Sequence, residues 1–183
     1  MIPLEFGSAV VALLVPQRSP FLMVERLTGY HPGPPSSLVA CLDIAPDDPV
    51  LAGHFPGEPI WPGALTLEGL AQTAGALRGL HAMAQVTDGG WPTLVRALDE
   101  FQGGVELPLA LRRWGAGGLH LAGAVQARFR QPVRPGQRLD YQVWLERSLG
   151  HVSRFRAEAT VQGVLVASAT MTSARLEGGL GTV

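Results

Sequence analysis

This 183-residue chain predicts an α+β fold in which one long buried central helix is wrapped by a curled antiparallel β-sheet. Gly63 to Ala84 is apolar almost all the way round and far longer than a strand, which marks a helix with neighbours on every side. The C-terminal third instead alternates apolar and polar residues, in pieces separated by short turns. A helix that needs cover on all faces and a meander with one apolar face complete each other. The length fits a single domain over residues 1–183.

In chain order, residues 5–15 read as a short helix stopped by Val15-Pro16. Phe21 to Tyr30 and Leu38 to Ile44 read as strands, the second with Leu38, Ala40, Leu42 and Ile44 on one face, joined by the turn-rich HPGPPSS. A loop, APDDPVLAGHFPGEPIW, leads into the long helix, where Pro62 suits the first turn because the N–H it lacks has no partner there. Gly69, Gly75 and Gly79 each cost about 1 kcal/mol of helix propensity and therefore predict strands packed close against the helix. Residues 85–118 read as an inserted cap or loop, with a short amphipathic helix at Thr93 to Phe101. Beyond it, Val125, Ala127 and Phe129 oppose Gln126, Arg128 and Arg130, and Leu139, Tyr141, Val143 and Leu145 oppose Asp140, Gln142, Trp144 and Glu146. Phe155, Ala157, Ala159 and Val161 repeat the pattern, a last strand runs from Val164 to Arg175, and turns fall at Pro135-Gly136, Leu149-Gly150 and Gln162-Gly163.

Composition excludes several classes. Hydrophobic residues make up 46% and charged residues 16%, which is too apolar for disorder. Ser8 to Val15 is too short to span a bilayer and follows an acid, so neither export nor a membrane is expected. The single cysteine, Cys41, fits a reducing cytoplasm and no metal motif, and reads as a small buried hydrophobe. All 14 basic residues are arginines: residues 1–108 carry 4 against 11 acids, a balance of −7, and residues 109–156 carry 9 against 2, a balance of +7. A basic face of this kind steers an acidic partner, or is the wet side of alternating strands. It does not read as a nucleic-acid interface, since no helix carries the arginines and no aromatic-basic platform accompanies them.

No nucleophile elbow, phosphate-binding loop, zinc motif or dinucleotide fingerprint is present. What stands out is GHFPGEPIWPGALTLEGLAQ, Gly53 to Gln72. Glu68 is a lone acid on the second turn of the apolar helix, and His54 lies fourteen residues earlier in the loop that feeds it. A carboxyl group withdrawn from water tends to keep its proton and suits a general acid, while an imidazole suits a general base. Gly63 offers a free backbone N–H at a helix start and no side chain to block a ligand, which suits a carbonyl oxygen gaining negative charge. Acid, base and oxyanion donor together make a set for removing a proton beside a carbonyl. Phe55 and Trp61 flank them and read equally as lining of an apolar substrate site and as core packing. His31, His81, His120 and His151 show no ligand spacing and read as solvated or structural.

These segments, with LLVPQRSPFLMVERL (Leu13 to Leu27), ARFRQPVRPGQ (Ala127 to Gln137) and the closing ATMTSARL, resemble the β-hydroxyacyl-acyl-carrier-protein dehydratases of bacterial fatty acid synthesis. The resemblance covers most of the chain outside residues 85–118. It implies a hotdog fold and a homodimer, often assembled as a trimer of dimers, whose sites lie between protomers, so that His54 acts with Glu68 of its neighbour. It also implies a 3-hydroxyacyl substrate carried as a thioester on the phosphopantetheine of acyl carrier protein, with no metal or other cofactor. By this likeness His54 removes the C2 proton, the Gly63 N–H polarises the thioester carbonyl, Glu68 protonates the departing hydroxyl and Gln72 supports the acid. The chain departs from the family where PQRSPF stands for the usual PHRYPF, putting Gln17 and Ser19 in place of a histidine and an aromatic. Those departures fit a specialised or polyketide-type substrate as well as a fatty acid one. Two other readings are a hotdog thioesterase, which would release free thiol, and a non-catalytic acyl-binding subunit of a dehydratase complex.

Overall fold

The computed structural model describes residues 1–109, 111 and 120–175. Seven antiparallel strands form one sheet in the order β1-β2-β3-β5-β6-β7-β4, with β1 Ile2–Phe6, β2 Arg26–His31, β3 Ser37–Asp43, β4 His120–Phe129, β5 Arg138–Leu149, β6 Val152–Val161 and β7 Val164–Arg175. Four helices accompany them: α1 Ser8–Leu14, α2 Pro49–Gly53, α3 Gly63–Val86 and α4 Gly90–Gln102. α3 packs against β3, β5 and β6 and also reaches β4 and β7. Five adjacent strands laid flat would span about 19 Å, wider than a helix of about 10–12 Å, so the sheet must curl around α3. It stays open, with β1 at one edge and β4 at the other. This is the hotdog arrangement, and Leu70, Leu77, Leu80 and Met83 of α3 meet Leu139, Tyr141 and Phe155 of the sheet in a core closed to water.

β5 and β6 follow the alternation, whereas β4 leaves Val125 and Phe129 of its expected apolar face exposed, and the β6–β7 hairpin closes on a two-residue turn with a register shift between Ala159 and Thr160. Gln162 (φ +50°) and Gly163 (φ +78°) both take the left-handed conformation that a two-residue hairpin needs to match strand twist. Cys41 is fully buried on β3.

Five local expectations change. Phe21 to Glu25 is not strand: β2 begins at Arg26, because the segment before it is spent on contacts with α3. Residues 2–6 add the strand β1, and Pro49–Gly53 forms α2, started by Asp48, whose side chain accepts from the Val50 N–H at 2.9 Å. Of the three helix glycines only Gly69 faces a strand, where the Tyr141 ring lies on it, whereas Gly75 and Gly79 face Val15 and Leu14 at the end of α1. Within 85–118, α4 buries Leu94 and Leu98 completely against α3, α1 and β1, so this stretch contributes to the core; residues 110 and 112–119 lie outside the described residues.

Candidate active site

The loop 54–62 is tied to itself and to the sheet. Ile60 N–H donates to the His54 carbonyl at 2.8 Å, Glu58 N–H to the Phe55 carbonyl at 3.0 Å, and Trp61 N–H to the Val133 carbonyl at 2.8 Å. The His54–Phe55 peptide is cis, and the two rings stack with centroids 4.2 Å apart. His54 Nδ1 lies 2.9 Å from the Ile60 carbonyl oxygen. A carbonyl can only accept, so Nδ1 carries the hydrogen and the neutral ring keeps its lone pair on Nε2. That is the tautomer a base needs.

Pro62 caps α3 with its carbonyl, which accepts from the N–H groups of Leu65 and Thr66 at 3.0 and 3.3 Å. The N–H groups of Gly63 and Ala64 precede any intrahelical acceptor and open on a cavity of about 420 Å³. His54, Ile60, Trp61 and Thr66 line one side of it, and Phe129, Arg130 and Val133 the other. The Arg130 side is held by its backbone N–H, which donates to the Val166 carbonyl at 2.8 Å. A Cβ on Gly63 would come within 2.7 Å of the Phe129 ring. The glycine is thus needed for the close approach of Phe129, and the space that a side chain would take is already filled.

Glu68 sits elsewhere. Five residues beyond Gly63, it is turned about 140° around the helix axis, and it does not line the cavity. Its Oε1 accepts from Gln72 Nε2 at 2.9 Å and from Gln17 Nε2 at 3.3 Å. Gln72 is 2% exposed, and the segment before β2 holds it at both ends of its amide: Oε1 accepts from Met23 N–H at 2.8 Å and Nε2 donates to the Phe21 carbonyl at 2.8 Å.

Among the residues singled out from sequence, then, His54, Trp61 and Gly63 share the cavity, Phe55 stacks on His54 but stands exposed, and Glu68 and Gln72 form a separate cluster. Gln17 stood out in the sequence only as a departure from the family pattern near the site, and its contact with Glu68 was not legible, because nothing local links residues 51 apart. Phe129 was legible only as one apolar position of a strand.

The remaining histidines are structural or solvated where their side chains are described. His81 Nε2 lies 3.0 Å from the Tyr30 hydroxyl, Tyr30 stacks on Trp91, and burial, aided by Arg78, pulls the imidazole below its ordinary range. Burial raises Tyr30, and does so far more strongly for Tyr141, whose hydroxyl is buried without a partner. The described residues contain no His/Cys/Asp/Glu cluster able to hold a metal ion, and no helix long and apolar enough to cross a membrane.

Comparison with known proteins gives the family and the fold. Residues 15–101 match the FabA-like domain family. Two curated relatives, both named 3-hydroxyacyl-[acyl-carrier-protein] dehydratase FabZ, come from Paramagnetospirillum magneticum (35% identical over 86% of this chain and 79% of that one) and Thioalkalivibrio sulfidiphilus (37% identical over 89% and 92%). The chain belongs to the FabZ dehydratase family. Among solved structures, the dehydratase heterocomplex ApeI:P of Xenorhabdus doucetiae shares the fold with a TM-score of 0.59, at 13% identity over 97% of this chain and 93% of that one. In this dehydratase-family chain the matched stretch 15–101 runs from the Gln17 segment through His54, Gly63, Glu68 and Gln72.

Proposed function

We propose that the chain is a hydro-lyase that removes water from a 3-hydroxyacyl thioester to leave a trans-2-enoyl thioester, in fatty acid or polyketide-type synthesis. The observation that carries the mechanism is the His54 tautomer. With Nδ1–H held by the Ile60 carbonyl, Nε2 is the free base in a cavity that also receives the orphan N–H groups of Gly63 and Ala64. The thioester carbonyl accepts from the Gly63 N–H, Nε2 takes the C2 proton, electron density moves into the carbonyl, and the C3–O bond breaks as Glu68 protonates the leaving hydroxyl. Every step is proton transfer or charge stabilisation, so acid–base groups suffice without metal or redox chemistry.

Because Glu68 lies on a different face of α3 from the His54 cavity, the acid for each site comes from a second copy. The β4 edge is where that copy joins: among the described residues it pairs only with β7, and it leaves Val125 (48%) and Phe129 (55%) open, with Ala127 alone between them partly buried against the core. Arg128 and Arg130 on and beside this strand have no ion pair among the described residues, unlike Arg138, Arg154 and Arg156, which meet Asp140, Glu146 and Glu158. An acidic carrier protein bearing the acyl phosphopantetheine docks on the Arg128 and Arg130 side chains, at the cavity mouth and outside the backbone edge that the second copy covers. A cytoplasmic setting fits the lone, unoxidised Cys41.

Mass spectrometry of a 3-hydroxyacyl carrier protein tests the reading. Wild type should shift the acyl chain by the mass of one water, and His54→Ala and Glu68→Gln should each abolish the shift. Free carrier thiol in place of the enoyl product would identify a thioesterase instead.

A further inference from the structure

We propose that Gln17 is a positioning residue for Glu68, fixing which of its two carboxyl oxygens carries the proton delivered to the leaving group; the catalytic part of this rests on the dehydratase reading above. Both amide donors, Gln17 Nε2 at 3.3 Å and Gln72 Nε2 at 2.9 Å, converge on Oε1, and none among the described residues reaches Oε2. An oxygen facing two N–H groups cannot also bear a hydrogen, so the protonated acid keeps Oε1 as its carbonyl oxygen and places the proton on Oε2. Gln72 alone leaves the carboxyl free to swing about one contact; the second donor fixes its plane.

Among the described residues the Gln17 side chain has no other partner: its Oε1 is buried without one, an arrangement that burial penalises, and its one hydrogen bond there is the one to Glu68. The backbone beneath it is braced by Arg18, whose guanidinium donates to the Val15 carbonyl at 2.8 Å and the Gln17 carbonyl at 2.7 Å. Arg18 is the one charged side chain on residues 15–23, and the α3 neighbours one turn either side of Glu68, namely Ala64, Leu65, Ala71 and Gln72, are uncharged. The clamp is therefore built from two amides that do not titrate, where related sequences often carry a histidine.

The test follows Glu68 directly and through turnover. In full-length protein, Gln17→Met keeps length and apolar packing and removes the donor. The Glu68 carboxyl midpoint, read by carbon-13 NMR, should rise by about one pH unit because the charged form loses a hydrogen bond. The same variant should lose kcat by about tenfold with KM unchanged within about twofold, and Gln17→His, which restores a ring N–H, should recover most of the loss. An unmoved midpoint in a folded Gln17→Met protein overturns the proposal, as does a KM effect without a kcat effect. A wild type that never eliminates water would overturn the dehydratase reading alone, since the midpoint still reports on the clamp.

Discussion

The two faces of α3 carry opposite kinds of chemistry. Around Gly63 the helix start meets a cavity with an exposed far wall, Phe129 and Arg130, supplied by an edge strand and the residue after it. Around Glu68 the helix meets a closed polar cluster in which Gln72 is buried and satisfied at both ends. On the proposed mechanism the open face supplies the base and the oxyanion donors and the closed face supplies the acid. A single chain then carries both halves of a site without joining them, and assembly becomes part of the proposed chemistry.

Mixed assemblies put that contrast to the largest test. His54→Ala and Glu68→Gln alone should each lower kcat by about 10²–10⁴-fold. Co-refolded in equal amounts, they should regain about a quarter of wild-type activity, because half the dimers are mixed and each has one intact site. No recovery would place both groups of a site on one chain. On the closed face, Gln72→Leu leaves the Met23 N–H and Phe21 carbonyl unpaired in the interior and should destabilise the fold by about 2–4 kcal/mol in urea denaturation. On the open face, Gly63→Ala should cost less than about 1 kcal/mol, since the half-exposed Phe129 ring can swing away, yet lower kcat/KM by about tenfold as the ring enters the cavity. Equal stability losses at the two positions would erase the distinction.

The far end of α3 gives the smallest effect. Burial holds the His81 imidazole below its ordinary value of 6.5, so the unfolded chain binds more protons than the native state as pH falls through that range. Stability should fall from about pH 6.5 downward until the lowered value is passed, and His81→Phe should flatten that part of the curve relative to wild type.

Much of this was legible in the sequence where periodicity speaks. The length and all-round apolarity of Gly63 to Ala84 announced α3, and the alternations through Tyr141 and Phe155 announced their strands. Phe21 to Glu25 misled because its residues suit a strand while its backbone is claimed by Gln72, a tertiary contact that no local pattern encodes. His54, Gly63 and Glu68 stood out through type and spacing. Their division between two helix faces follows from the 3.6-residue turn, but that the cavity opens on one face only depends on β4, more than fifty residues further on.

The position of β4 in the sheet also sets an order of events. Its one hydrogen-bonded neighbour among the described residues is β7, the last strand described, and Arg130 is anchored by Val166 of that same strand. During synthesis, α3 and its amide clamp can form while the wall opposite His54 still lacks a template, and the wall closes only once residues 164–175 have left the ribosome. A nascent or truncated chain ending before Val164 would lack β7 and leave β4 without its partner, so the residues of the polar cluster around Glu68 would all be made while the cavity beside His54 still had no far wall.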